Sequence, residues 1–427
     1  MYCLGFREVN FLYYLVLLLR AGDVLGNMVK SINGLPLDNW FLKCISCNEV
    51  YEPNPWLFKC PKCSNLLSVA IDLSEVDVSW RLFRSRIFSV WRYRELLPIA
   101  RKFEVVSLGE GGTPLIELRR LPKVFNIECR VFLKFEGCNP TGSFKDRGMT
   151  VGVTIAKNIG VEKIMVASTG NTAASAAAYA ARAGLKCLIY LPKGKVAKGK
   201  LAQAILHGAE IIEVEGSFDE ALSKVLEKAF SCHDVYPLNS FNPWRLEGQK
   251  TIAYEIADVL GDAPDAVVVP VGNAGNISAI WKGFKELYEL GLISKLPKMI
   301  GVQASSAAPL ARAWKLGLDK PLFTDSPETI ATAIRIGKPI NWLKAWKAVK
   351  ESKGMFVEVE DKEITYAQRI LARLEGIAVE PASAVTIASL NYIRDFFDKD
   401  EIMVLIATGH GLKDPDIILK QIDKEVI

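Results

Sequence analysis

From about residue 105 to about residue 415, short apolar runs alternate with helix-length stretches, and this alternation limits the possible folds most. The runs IMVAS after Lys163, LIYLP after Cys187, VVVPV after Ala266, MIGVQ after Lys298 and MVLIAT after Ile402 are mostly β-branched and followed by Gly, Ser or Thr. A strand that is apolar on both faces belongs in a parallel sheet covered by helices. The stretches 171–183, 198–207, 219–230, 277–290 and 362–375 have helical spacing and can supply those covers. The predicted class is therefore α/β and doubly wound. Ligands are expected at the turns beyond the carboxyl ends of the strands.

A chain of 427 residues, half of them apolar, is long enough for two or three compact units. The net charge of +5 is spread along the chain without a dense basic tract, which argues against a nucleic-acid partner and gives slight support for anionic ligands. The three histidines, His207, His233 and His410, show no His-x-x-x-His spacing, so a histidine-based catalytic metal is not expected. Nine cysteines, an odd number, suit reduced thiols in the cytoplasm better than a disulfide framework. The apolar run Phe11–Leu19 is about half the length that spans a bilayer, so no membrane partner is expected. It loosely resembles a signal peptide, but a start at Met28, with an upstream extension before it, is the preferred reading.

Residues 1–38 read as a tail, and residues 39–74 as a small separate segment built on Cys44-x2-Cys47 and Cys60-x2-Cys63. That spacing gives two knuckles, each offering two thiolates, which is the pattern of a structural zinc site. Four thiolates close a tetrahedral shell and leave no position for catalysis.

Four strand-to-helix motifs carry the chemistry. In Asn139–Gly148 (NPTGSFKDRG), Pro140 and Gly142 form a turn, Ser143 is placed to cap the next helix, and Lys145 enters its first turn. The positive end of the helix dipole would lower the pKa of Lys145 and favour the neutral, nucleophilic amine. In Ser168–Ser175 (STGNTAAS), hydroxyl, amide and backbone donors converge at a helix start, a ready anion site. In Val271–Asn276 (VGNAGN), glycines at 272 and 275 permit positive φ and bring backbone N–H groups close to a phosphate. The spacing is not that of a dinucleotide or P-loop motif. In Ala407–Lys413 (ATGHGLK), Thr408 ends a buried strand and points its hydroxyl at the crevice.

Together these motifs resemble the fold-type-II family of pyridoxal-phosphate (PLP) enzymes and, within it, the threonine synthase family. The strings EGGTPL at 110–115, KFEG at 134–137, NSFNPWRLEGQ at 239–249 and EPASA at 380–384 strengthen the likeness, which covers about three quarters of the chain. The resemblance implies a fold like that of the tryptophan synthase β-subunit, with PLP in a cleft between two doubly wound domains. The smaller domain is expected at 125–240, and the larger at 75–124 with 241–427. It implies that Lys145 holds PLP as a Schiff base and then shuttles protons. Asn171 is expected at the 3′-oxygen of PLP and Thr408 at its pyridine nitrogen. Gly272, Asn273, Ala274, Gly275 and Asn276 are expected around its phosphate. Ser168 and Thr172 would bind the substrate carboxylate, and Arg245 the phosphate of O-phosphohomoserine, whose dianion suits a guanidinium fork. Cys138 stands where a small residue is expected and reads as a buried thiol. The implied enzyme is a cytoplasmic homodimer that makes threonine and phosphate. The alternatives on the same scaffold are a cysteate synthase and a serine or threonine dehydratase.

Overall fold

The computed structural model describes residues 37, 39–193, 198–216, 218–231 and 234–422. The run Phe11–Leu19, Met28 and His233 lie outside them.

Thirteen strands form three sheets among the described residues. Strands β1 (Trp40–Cys44), β2 (Val50–Tyr51) and β3 (Leu67–Ile71) make a small antiparallel sheet in the order β2-β1-β3. Strands β4 (Leu115–Glu117), β5 (Arg130–Phe135), β10 (Ala266–Pro270), β11 (Lys298–Ala304), β12 (Met355–Val359) and β13 (Ile402–Ala407) make a six-stranded sheet in the order β12-β11-β10-β13-β5-β4. It is parallel except for edge strand β4. Strands β6 (Lys163–Ala167), β7 (Lys186–Pro192), β8 (Glu210–Val214) and β9 (Val235–Pro237) make a parallel four-stranded sheet in the order β8-β7-β6-β9.

The apolar runs become strands for the expected reason. Every residue of β10 is buried, because helices cover both faces of its sheet. The predicted helices form within a residue or two of their expected limits, as Asn171–Ala183, Lys198–Leu206, Phe218–Ser231, Gly275–Glu289 and Asp361–Glu375. The last begins with a reciprocal capping box between Glu360 and Glu363 and ends at Gly376, whose φ of 73° only glycine adopts without strain.

Two expectations about organisation change. Arg130–Phe135 lies within the span 125–240 read as the smaller domain, yet it pairs with β13 in the larger sheet. Sequence order hides this, because the partner strand lies at the other end of the chain. The cysteine segment is also no satellite. Trp40, Leu42, Phe58, Leu67 and Val69 share one core with Met149, Tyr236, Phe241 and Trp244. Among the described residues no helix is long and apolar enough to cross a membrane.

Candidate active site

The expected site residues come from the carboxyl ends of neighbouring strands. Strands β10, β13 and β5 are adjacent in the large sheet. They lead respectively into Gly272–Asn276, Thr408 and the turn that holds Lys145. Strands β6 and β9, adjacent in the small sheet, lead into Ser168–Thr172 and the helix Pro243–Gln249 that carries Arg245. This is the crevice position expected of ligands on parallel sheets.

Lys145 opens the helix Lys145–Asn158. Gly142, at φ 83°, makes the turn before it. Ser143 does not cap the helix: its hydroxyl is buried without a hydrogen-bond partner, and Phe144 occupies the cap position. Asp146 ties the turn instead, accepting from Thr141 N at 2.7 Å, Thr141 Oγ1 at 2.6 Å and Ser175 Oγ at 2.5 Å. Ser175 belongs to the helix Asn171–Ala183, so Asp146 joins the two motifs. The Lys145 amine lies 3.8 Å from the centre of the Phe144 ring, and its pKa is lowered to about 7. Burial is the main cause, the guanidinium charge of Arg245 adds to it, and Glu380 opposes it. A substantial neutral fraction near pH 7 makes this amine a nucleophile.

Glu380 organises the other side and was not among the expected site residues. Its carboxylate accepts from Asn171 Nδ2 at 2.8 Å and from Thr408 Oγ1 at 3.2 Å. Ser383 Oγ lies 2.9 Å from Thr408 Oγ1. Burial raises the pKa of Glu380, opposed first by the hydrogen bond from Asn171. Both residues lie in the string EPASA, so the signal was present; what the sequence could not show was their contact with Thr408. Ser168 Oγ accepts from Gly170 N at 3.3 Å, and Thr172 lies half-buried in the first turn of the helix that Asn171 begins.

The Gly272–Asn276 loop differs from expectation in one respect. Neither glycine has positive φ; Ala274 does, at 65°. The glycines serve close approach instead. A Cβ on Gly272 would sit 3.0 Å from Ile334 Cα, and one on Gly275 would sit 3.0 Å from Leu246 Cδ2, beside Arg245. Asn276 is buried with neither side-chain polar atom hydrogen-bonded. Each such atom costs about 1–3 kcal/mol unless a ligand satisfies it. The unsatisfied Asn276 Nδ2 donor at the start of the helix Gly275–Glu289 fits a phosphate-bearing group.

Arg245 is buried, its Nε has no partner, and no acid pairs with it among the described residues. Burial alone lowers its pKa, to about 10. Among the described residues, the salt bridge that could have explained it structurally is absent. Cys138, read as a buried thiol, is exposed, because it follows β5 on the outside of the turn.

The four Sγ atoms of Cys44, Cys47, Cys60 and Cys63 lie within 4.8 Å of one another. Each knuckle is followed by a residue with positive φ, Asn48 at 61° and Ser64 at 58°. Backbone and side-chain hydrogen bonds involving Asn65 hold the Cys63 thiol down at about 6.

Residues 106–409 match the family model described as pyridoxal-phosphate dependent enzyme. The threonine synthase of Methanocaldococcus jannaschii is 51% identical over 389 residues, which cover 90% of this chain and 95% of that protein. That of Mycobacterium bovis is 52% identical over 330 residues, covering 77% of this chain and 89% of that protein. Among solved structures, maize serine racemase aligns with a TM-score of 0.61 at 20% identity over 74% of this chain and 92% of its own. The processed form of threonine deaminase isoform 2 from Solanum lycopersicum aligns at 0.59 and 23% identity, over 70% of this chain and 83% of its own. Those two share the fold. With about half of its residues identical across nine tenths of its length, the chain belongs to the pyridoxal-phosphate dependent enzymes and, among them, to the threonine synthases.

Proposed function

We propose that this chain converts O-phospho-L-homoserine and water to L-threonine and phosphate, with PLP attached to Lys145. The observation that carries the substrate is Arg245, a buried guanidinium with an unpartnered Nε and, among the described residues, no acid paired with it. A phosphate dianion supplies what it lacks.

Gly272, Asn273, Ala274, Gly275 and Asn276 would hold the cofactor phosphate, Asn171 its 3′-oxygen and Thr408 its pyridine nitrogen. Glu380 fixes the side-chain directions of Asn171 and Thr408. When bound, PLP withdraws electrons from the substrate's α-carbon and makes nearby protons removable. Ser168 and Thr172 hold the substrate carboxylate. With the cofactor bound, the Lys145 amine would accept and return protons at the α- and β-carbons. Arg245 holds the phosphate as the γ-carbon–oxygen bond breaks and takes up the charge of the leaving group. The γ-carbon gains a proton, and the hydroxyl of water ends on the β-carbon. Burial lets the Arg245 charge act strongly, since little water screens it.

Cys44, Cys47, Cys60 and Cys63 would hold one structural zinc. The free thiols among the described residues suit a cytoplasmic enzyme, and the family's habit suggests a homodimer.

Lys145→Ala tests the cofactor assignment. The purified wild-type enzyme should absorb near roughly 410 nm and lose that band on borohydride reduction. The variant should lack the band and lose several orders of magnitude of activity. Turnover near wild type in the variant would exclude Lys145 from this role.

A further inference from the structure

The helix that carries Arg245 has seven residues, Pro243–Gln249, too few to hold a direction by itself. What packs around it sets where the guanidinium points. On one face it meets the helix Lys145–Asn158 so closely that glycine is required on both sides. A Cβ on Gly148 would lie 2.8 Å from Arg245 O, and one on Gly248 would lie 1.7 Å from Arg147 O.

Strand β3 of the cysteine ribbon packs on the same helix. Glu247, two residues after Arg245, forms ion pairs with Lys250 at 2.7 Å and Lys282 at 2.5 Å. Lys282 also donates to Val69 O of β3 at 2.6 Å. Lys344, from the helix Trp342–Glu351, donates to Leu67 O of β3 at 2.9 Å. The Lys250 amine lies 5.2 Å from the centre of the Trp40 ring in β1. On the small-sheet side, Tyr236 Oη donates to Pro55 O at 3.0 Å, and Phe58 packs edge-on against Phe241 at 5.5 Å. The ribbon therefore spans both sheets and backs the short helix between them.

We infer that the cysteine ribbon is a positioning element for Arg245, and that Lys282 and Lys344 transmit its hold through β3 to the helix Pro243–Gln249. The inference rests on the reading of Arg245 as the phosphate-binding residue. Loosening the ribbon lets the guanidinium drift and weakens phosphate binding while the cofactor stays in place. A ribbon that only stabilised the fold would not act on phosphate affinity in this selective way.

The test titrates inorganic phosphate into the full-length, PLP-loaded enzyme by calorimetry, since the cofactor's own phosphate then occupies the Gly272–Asn276 loop. Arg245→Ala should abolish binding. Lys282→Met and Lys344→Met should each weaken it by about tenfold or more with the visible cofactor band retained, and Lys282→Arg should restore most of it. Cys60→Ser, which removes one of the four ribbon thiols, should weaken phosphate binding by a similar factor. If Arg245→Ala leaves phosphate affinity unchanged, the reading of Arg245 fails and the inference falls with it. If Arg245→Ala abolishes binding while Lys344→Met and Cys60→Ser bind like wild type, Arg245 stands and the ribbon's positioning role is overturned. Should Lys282→Met lose the cofactor band, Lys344→Met, which removes one edge hydrogen bond, still decides the matter.

Discussion

A guanidinium taken out of water without a counter-ion is costly, and Arg245 sits in that state close enough to Lys145 to lower its pKa. A buried guanidinium without a counter-ion makes sense where a dianion binds. Arg245→Ala should therefore cost about 2–5 kcal/mol in binding the reacting phosphate, or roughly two to three orders of magnitude in kcat/KM for phosphohomoserine. The visible band should remain, and slow dehydration of threonine, which has no phosphate, should suffer much less. An equal loss in both reactions, measured on the same variant, would make Arg245 a structural residue. At this scale the sequence was legible wherever a residue type follows from local chemistry. The Gly142 turn was readable because a positive φ favours glycine. Ser143 and Gly272–Gly275 misled because capping and positive φ are only two uses of such residues. Here Asp146 ties the turn, and the glycines make room. Glu380 could not be placed from local rules, since its partners Asn171 and Thr408 come from two distant segments.

The helix Lys145–Asn158 is anchored by a fully buried ionic cluster. Arg147 reaches Glu136 at 2.5 Å and Glu255 at 2.6 Å, and Lys134 reaches Glu255 at 2.6 Å. Glu255 also accepts from Gly112 N at 2.8 Å. One carboxylate thus ties the strings EGGTPL, KFEG and KDRG together, which explains why they occur in one chain although the chemistry uses only Lys145. Removing one partner from such a cluster leaves a buried charge uncompensated and costs about 3–5 kcal/mol. Glu255→Gln should lose about that much in denaturant unfolding at about pH 7. Although burial opposes ionisation, Arg147 and Lys134 hold the carboxyl pKa down, to about 2. A depressed carboxyl stabilises the fold fully above its unfolded pKa near 4.5 and loses that contribution as pH falls towards about 2. The gap between wild type and variant should therefore shrink steadily below about pH 4.5. A gap that stays constant down to about pH 3 would mean that Glu255 acts through shape alone. The apolar strands and amphipathic helices were legible from periodicity, because burial on both faces leaves that trace. Edge strand β4 was not, since its three residues are only half-buried and leave no such pattern.

At the scale of the whole molecule, sequence order could not show which sheet each strand joins. Strand β5 crosses to the large sheet, and the ribbon, which reads as a detached unit, shares a core with the small sheet and the Arg245 helix. The spacing of its cysteines was legible; its docking depends on Trp40, Phe58 and Val69, which look like ordinary strand residues. Metal analysis of protein purified with reduced thiols should find about one zinc per chain, lost in Cys44→Ser. Because the ribbon is part of the main core, the same substitution should lower the Tm of the whole enzyme in a single transition. A variant that keeps its metal, or a separate early transition, would contradict this. The central claim is that these two sheets and their crevice release phosphate from phosphohomoserine. The most direct measurement follows phosphate and amino-acid products from O-phospho-L-homoserine and O-phospho-L-serine with the PLP-loaded enzyme. Threonine and phosphate should form in equal amounts from phosphohomoserine. Its kcat/KM should also exceed phosphoserine's by about tenfold or more, since one methylene changes where the phosphate meets Arg245. No threonine from phosphohomoserine, or faster phosphate release from phosphoserine, would contradict the central claim.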